Sequence, residues 1–422
     1  MGKKGRRIII VALALLVLMI ISFLYLMNRA YFVTDRNGLF QYYVIPISGP
    51  YSARFRLYES ANKEKNIALQ KKYYGPIFRF NEKNERIAKW ICNNRVFSEN
   101  TLGASSYQIQ CNDKSYRYNL NNKPINIPDS IEDREVYAFS DLHGNIEYFK
   151  KVLINLGIVD ENYNWNFANN GVVLTGDLID KSSDDRALMW FIYNLEQQAA
   201  KHGGFVLVLL GNHEVFQLQG DFRHAHPVSV YLTQKMFPLT QALDKNTILG
   251  EWLRSKPIIA KLNGYLFTHA GLSPKIIDIN DLFSLNKVLL EYWQGKAPDD
   301  ISYQAIFGPQ GVINYRGMVK ETPFYPMLSQ QQLNKLASKH DFKKIIFGHT
   351  EVDNISFLFN DSAIAIDASR HSTEVLRLKN NELSLVDVAY LNKSESWKKS
   401  SVRIPFNLFS SSDWKLIATG IN

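Results

Sequence analysis

Five short stretches of this 422-residue chain end an apolar run in residues that can bind cations or move protons. They read Val136-Tyr-Ala-Phe-Ser-Asp141-Leu-His143-Gly, Val172-Val-Leu-Thr-Gly-Asp177-Leu-Ile-Asp180, Phe205-Val-Leu-Val-Leu-Leu-Gly-Asn212-His213-Glu, Tyr265-Leu-Phe-Thr-His269-Ala-Gly and Ile345-Ile-Phe-Gly-His349-Thr. The polar residues delivered are two or three carboxylates, an amide and up to four imidazoles. That mixture suits borderline divalent ions such as Mn²⁺, Fe²⁺ or Zn²⁺, and it lacks the thiolates of a structural zinc site. One core histidine or turn aspartate would need no such account, but five clusters in order, each after an apolar run, do. His202 and His340 have no such neighbours and read as surface residues.

A set like this needs a scaffold that brings distant segments to one edge. Buried strands read as continuous β-branched and apolar runs, and ligand-binding groups gather just past their carboxyl ends. Glycines beside the polar residues permit tight turns and close backbone approach. Strand-like runs alternate with helical stretches such as Ala187 to Lys201, the arrangement of a layered α/β domain. Asp367 caps a late strand, Ala363-Ile-Ala-Ile, and a hairpin-like pair, Glu374-Val-Leu-Arg-Leu and Glu382-Leu-Ser-Leu-Val, is joined through Lys-Asn-Asn. The Pro- and Asn-rich stretch from Asn119 to Ser130 marks a boundary. The reading is therefore an anchor over 1–30, a β-rich module over 31–130, the main domain over 131–390 and a polar tail over 391–422.

In order and spacing the clusters resemble the calcineurin-like metallophosphoesterases, and among them the phosphoprotein phosphatases. The family pattern D-x-H-G, G-D-x-x-D-R-G, G-N-H-E, H-A/G-G and G-H stands here as Asp141-Leu-His143-Gly, Gly176-Asp177-Leu-Ile-Asp180-Lys181-Ser, Gly211-Asn212-His213-Glu214, His269-Ala-Gly and Gly348-His349. A narrower likeness to the Shewanella-like bacterial phosphatases rests on Ala187-Leu-Met-Trp, Gly211-Asn-His-Glu-Val-Phe-Gln-Leu-Gln-Gly-Asp221-Phe-Arg223, and Gly308-Pro with Tyr315-Arg316-Gly-Met. The resemblance implies a β-sandwich flanked by helices and two divalent ions (Mn, Fe or Zn). Asp141 and His143 would hold the first ion, Asp177 would bridge both, and Asn212, His269 and His349 would complete the second. His213 matches the general acid and Asp180 the residue that orients it. Lys181 stands where the family has an arginine, which keeps a charge on the phosphate and loses the planar fork. Arg316 matches the second phosphate-binding arginine and Arg223 is a third candidate. A surface role competes for Arg223 and is the reading for His224, His226 and His371.

Composition bounds the setting. Residues 1–30 carry a net charge of +5, residues 31–130 carry +7 and residues 131–422 carry −3, so no nucleic-acid-binding stripe is expected on the main domain. Ile8 to Met27 is free of charged residues and follows Lys3, Lys4, Arg6 and Arg7. At 1.5 Å per residue such a helix crosses a hydrocarbon core about 30 Å thick. The basic flank keeps the N-terminus cytoplasmic and puts the rest in the periplasm, extracellular space or a lumen, with a bacterial inner membrane facing the periplasm as the leading case. Outside the cytoplasm Cys92 and Cys111 could form a disulfide; two reduced, buried cysteines are the equal alternative. The leading functional reading is a membrane-anchored two-metal phosphoesterase acting on phosphorylated proteins or peptides, at Ser/Thr or Tyr, or on small phosphoesters. A dinucleoside polyphosphate or pyrophosphate hydrolase would use the same site. A non-catalytic binding protein on a worn phosphatase fold has only Lys181 in its favour.

Overall fold

The computed structural model describes residues 3–35, 41–48, 51–57, 72–82, 85–101, 103–120, 127–128, 130–368, 372–388, 401–411, 413–414 and 417. Much of the Asn119–Ser130 linker, His371 and residues 391–400 lie outside the described residues. The chain forms two compact units, one from residues 1–72 with 399–422 and one from residues 73–398.

The small unit begins with a helix over Lys3–Asn28, of which Ile10–Asn28 is long and apolar enough to cross a membrane. A four-stranded antiparallel sheet follows, built from β1 (Tyr31–Asp35), β2 (Gln41–Ser48), β3 (Tyr51–Leu57) and β19 (Ser401–Pro405), in the order β19-β1-β2-β3. Met27, Phe32, Tyr43 and Phe406 pack together in its core.

The large unit is an α/β sandwich. One sheet has the order β11 (Phe205–Val208), β10 (Gly171–Leu174), β9 (Glu135–Phe139), β17 (Glu374–Lys379), β18 (Glu382–Asp387). The other runs β12 (Ile259–Leu262), β13 (Tyr265–Thr268), β14 (Lys344–Phe347), β16 (Ala363–Ala365), β15 (Ser356–Leu358). Side chains alternate across each strand, and the alternation sorts them into two cores. Val136, Ala138, Val173, Leu207, Phe267, Ile346, Ile364 and Leu376 meet between the sheets. Tyr137, Phe139, Val172, Leu174, Val206, Val208, Leu266 and Ile345 face the helix-side core. Strands β9, β10, β11, β13, β14 and β16 are buried on both faces, which is why they read as unbroken apolar runs. β9, β10 and β11 are mutually parallel, as are β13, β14 and β16, so their carboxyl ends emerge together within each sheet. The β17–β18 hairpin turns through Asn380 and Asn381, both left-handed, as a two-residue loop requires.

The β-rich stretch before residue 131 contributes strands to both units. Its first three strands belong to the small unit, where β1 pairs with the strand at 401–405. Its later strands, β4 (Tyr73–Phe80), β5 (Arg86–Cys92), β6 (Arg95–Asn100), β7 (Ser106–Cys111) and β8 (Lys114–Asn119), belong to the large one. The physical reason is aromatic packing on the Asp185–Lys201 helix. The Trp190 ring meets Phe78 at 5.5 Å and Tyr118 at 5.1 Å, and its indole N–H donates to the Pro76 carbonyl at 3.0 Å. Cys92 and Cys111 are joined by a disulfide that ties the end of β5 to the end of β7.

Candidate metal and catalytic site

The polar clusters follow β9, β10, β11, β13 and β14, and the parallel pairing brings them together. Close neighbours, backbone at one and side chains at the other, demand glycine at two of these ends. A Cβ on Gly176, which is left-handed at φ 101°, would lie 2.4 Å from the Gly211 nitrogen; one on Gly348 would fall 2.5 Å from Asp141 Oδ2. Asp141, His143, Asp177, Asp180, Lys181 and His349 are all left-handed non-glycine residues. That backbone costs roughly 1 kcal/mol or more per residue, and clustered outliers of this kind mark functional sites.

Each of three imidazoles has one nitrogen fixed on a backbone carbonyl and the other turned inward. His143 Nδ1 lies 3.0 Å from the Ile179 oxygen, His269 Nδ1 2.8 Å from the Thr175 oxygen, and His349 Nε2 3.0 Å from the Asn314 oxygen. A neutral ring whose outer nitrogen donates in this way presents a lone pair on the inward one, the arrangement of a metal-ligating histidine. His269 Nε2 stands 3.2 Å from Asp177 Oδ1, 3.1 Å from Asn212 Oδ1 and 3.1 Å from His349 Nδ1. His143 Nε2 is 3.7 Å from Asp141 Oδ1 and 3.9 Å from Asp177 Oδ2. Asp141 accepts from Ser140 Oγ and from the His349 N–H. Two triads, His143–Asp177–His213 and Asp177–His269–His349, have ligand atoms close enough to share an ion, and Asp177 is common to both.

The electrostatics of this cluster favour a cation. Burial pulls the His269 imidazole down, yet Asp177, Asp141 and Glu214 outweigh it and push it up to about 9. Burial would raise Asp177, but His213 and His269 hold its carboxyl well below the usual range. His143 and His349 are held well below the usual imidazole value, chiefly by burial, and stay neutral. Carboxylates and neutral imidazoles around one buried point fit borderline divalent metals.

His213 has a different setting. Its Nδ1 lies 2.7 Å from Asp180 Oδ2, and Gln217 Nε2 donates to Asp180 Oδ1 at 2.5 Å. Its Nε2 faces the cluster, 3.6 Å from Asp177 Oδ2. Burial lowers its pKa, and the Asp177 charge with the Asp180 hydrogen bond more than reverses this. Lys181 is exposed, with Nζ 2.6 Å from His143 Nε2, and Arg316 donates to the His349 carbonyl at 2.7 Å.

Several side chains carry more than their motifs suggest. Glu214 accepts four backbone N–H groups, from Gly211, Asp177, Leu178 and Ile179, and so knots two strand ends together. Its spacing three residues after Gly211 is the available signal, since an acidic residue there caps a helix start. Gln217, one helical turn beyond His213, had no such signal. Arg223 is 83% exposed and its guanidinium is paired with Asp221 at 2.6 Å, so the structure gives it no contact with the cluster. His224 is exposed but is not remote, since its ring lies 5.3 Å from that of His213. His226 accepts from the Val228 N–H as a helix cap. His202 is exposed, whereas His340 is buried, because Leu333, Leu336 and His340 share the buried stripe of the Gln330–His340 helix. Asp367 is buried just past β16, as expected of a strand-end residue.

Residues 135–353 match the calcineurin-like phosphoesterase family, a span that holds the five polar clusters after β9, β10, β11, β13 and β14. This chain belongs to that family. A calcineurin-like phosphoesterase of this kind is a metal-dependent hydrolase of phosphoric esters, with His and Asp clusters to hold the metal. The fold is similar to that of a cold-active protein-tyrosine phosphatase of a psychrophilic Shewanella species, at 30% identity and a TM-score of 0.65, covering 74% of this chain and 96% of that one. Among sequences, the phosphoesterase is 28% identical over 225 residues to Shewanella-like protein phosphatase 1 of Plasmodium berghei, covering 51% of this chain and 61% of that protein's length. It is 23% identical over 274 residues to Shewanella-like protein phosphatase 2 of Arabidopsis thaliana, covering 54% of this chain and 70% of that one.

Proposed function

We propose that this phosphoesterase is a two-metal, Shewanella-like protein phosphatase that removes phosphate from phosphorylated side chains. The observation that carries the reading is the meeting of a cation-binding cluster with a hydrogen-bonded His213–Asp180 pair aimed into it. Asp141, His143 and Asp177 would hold one ion, and Asp177, Asn212, His269 and His349 the other. The ions, Mn²⁺, Fe²⁺ or Zn²⁺ by donor type, supply Lewis acidity toward the phosphoryl group and an acidified water. His213 donates a proton from Nε2 to the departing ester oxygen, while Asp180 fixes the ring and stabilises its charged form. Lys181 and Arg316 bind phosphoryl oxygens from the rim. The name of the Shewanella species neighbour puts phosphotyrosine first among the side chains to be tested.

The N-terminal helix serves in this reading as a membrane anchor. Among the described residues only 6% of its apolar span is buried, and Lys3, Lys4, Arg6 and Arg7 precede it. The Cys92–Cys111 disulfide supports an oxidising compartment for the large unit, since such bonds persist outside the cytoplasm. Protease accessibility of the large unit in spheroplasts tests the orientation; full protection would reverse it.

The activity is tested with the full chain in detergent and Mn²⁺, beside Asp177→Asn. The substrates are phosphotyrosine and phosphothreonine peptides and diadenosine tetraphosphate. Phosphopeptide hydrolysis that the mutation abolishes is the expected result. Cleavage of the dinucleotide alone would replace the protein-phosphatase reading with a nucleotide hydrolase.

A further inference from the structure

The Asn212–Leu218 helix carries Asn212, His213, Phe216 and Gln217 at i, i+1, i+4 and i+5, so Phe216 shares the face that bears the site. The chain then turns, and an ion pair holds the returning loop. The Arg223 N–H and guanidinium both bond Asp221, with distances of 3.0 and 2.6 Å. This sets the next residue, His224, over the helix. Its ring stacks on Phe216 with centroids 5.3 Å apart and planes at 25°, and it meets His213 edge-on at 5.3 Å and 66°. Phe216 itself lies 6.0 Å from His213. A further neighbour of the His213 ring is His143, at 5.0 Å. His213 therefore stands between the metal cluster and an aromatic pair that is half-buried at Phe216 and exposed at His224.

We propose that Phe216 and His224 form the wall on which the leaving group rests, selecting phosphate esters of aromatic alcohols over those of aliphatic ones. The inference rests on the assignment of His213 as the acid. In the hydrolysis the bond from phosphorus to the ester oxygen breaks as the bond to the water oxygen forms, and the His213 proton goes to that ester oxygen. The leaving group is thus held beside His213, and the phosphoryl group occupies the metal side. An aryl ring on that oxygen reaches the Phe216–His224 pair. Rings attract one another in offset or edge-on contact at centroid separations of about 4.5–7 Å, the range these side chains already show among themselves. A serine or threonine carbon has no π face to offer. Phe216 and His224 are positioning and specificity residues in this scheme, and neither moves a proton.

The test uses the full chain with Mn²⁺ and compares His224→Ala, Phe216→Ala and His224→Phe. Substrates are a phosphotyrosine peptide, the same peptide with phosphothreonine, phenyl phosphate and β-glycerophosphate. The aryl-to-alkyl ratio of kcat/KM should fall roughly three- to tenfold in both alanine variants, mainly through KM. His224→Phe should keep the wild-type ratio, because it keeps the ring. Calorimetric binding of phenylphosphonate, against methylphosphonate, should weaken by the same factor without any turnover. His224 is exposed, so its variants should fold even if Phe216→Ala does not. An unchanged ratio, an equal loss on both ester types, or a His224→Phe variant that behaves like alanine overturns the wall. A wild type that prefers alkyl esters also overturns it and leaves the phosphatase reading standing. A wild type that hydrolyses no ester overturns that reading and the wall with it.

Discussion

Replacing Asp180 with asparagine keeps the shape of the group behind His213 and removes its charge. The two side chains are 1% and 10% exposed, so solvent screens little of the interaction. Hydrogen bonds to charged groups contribute about 1.5–3 kcal/mol net, and neutral ones about 0.5–1.5. The exchange therefore removes on the order of 1–1.5 kcal/mol from the charged form of His213, or about one pKa unit. Gln217 can flip its amide to suit the new neighbour, which limits collateral strain. An acid with a lower pKa is deprotonated earlier, so the alkaline limb of kcat should move about one unit toward acid. The loss should depend on the ester. A threonine alkoxide leaves badly without a proton, so kcat on a phosphothreonine peptide should fall roughly ten- to hundredfold. p-Nitrophenolate leaves easily, and its kcat should fall about threefold or less. The assay is a pair of pH–rate profiles on the two esters, with metal content measured by mass spectrometry in both proteins. Equal losses on both, or an unmoved alkaline limb with metal retained, would refute the chain of reasoning from Asp180 through His213 to the leaving oxygen.

Three further outcomes are expected. Asp185 is buried, and burial together with the charge of Asp180 raises its carboxyl well above the usual value. Folding thus binds a proton between the unfolded value, about 3.9, and the raised native one, and stability falls as pH rises through that window. Asp185→Asn should raise Tm by a few degrees at pH 8 and by nothing below about pH 4; a lower Tm at pH 8 would contradict the account. The Cys92–Cys111 bond spans 19 residues, so changing both to serine should cost on the order of 3 kcal/mol in denaturant melts, and no change would mean the reduced loop is already constrained. Lys181→Arg should keep or lower KM for phosphate esters and Lys181→Ala should raise it about tenfold, whereas a large loss in the arginine variant would show that the compact ammonium beside His143 has a role of its own.

The strand ends were legible because their signal is local. An unbroken apolar run is what a doubly covered parallel strand requires, and Gly176 and Gly348 announce the close approaches that follow. The Asn380–Asn381 hairpin was legible for a similar reason. What could not be read are contacts between residues far apart along the chain. Nothing near Phe78 or Tyr118 says that Trp190 will pack on them, so the expected boundary at 130 did not anticipate the division at 72. The cysteine pairing needed the geometry of two hairpins. His202 and His340 were read from their sequence neighbours, which fails for His340, buried by its helical stripe; His224 is exposed as expected, and only the turn that lays its ring beside His213 was not legible. Arg223 was read from its charge and its place in a motif, while its geometry is decided by Asp221 two residues away.

The pairing of β1 with β19 sets a schedule for synthesis. Tyr31–Asp35 leaves the ribosome early, but the strand that completes its sheet, Ser401–Pro405, is made 366 residues later than Asp35. At about 5–20 residues per second, that interval is roughly 20–70 s. During it β1 can pair with β2 on one side while its other edge stays open, the state in which strands recruit foreign partners. A nascent chain stalled inside the catalytic domain would therefore display that edge however well the sandwich had folded. Among the described strands, the latest in the sequence closes the edge of the earliest.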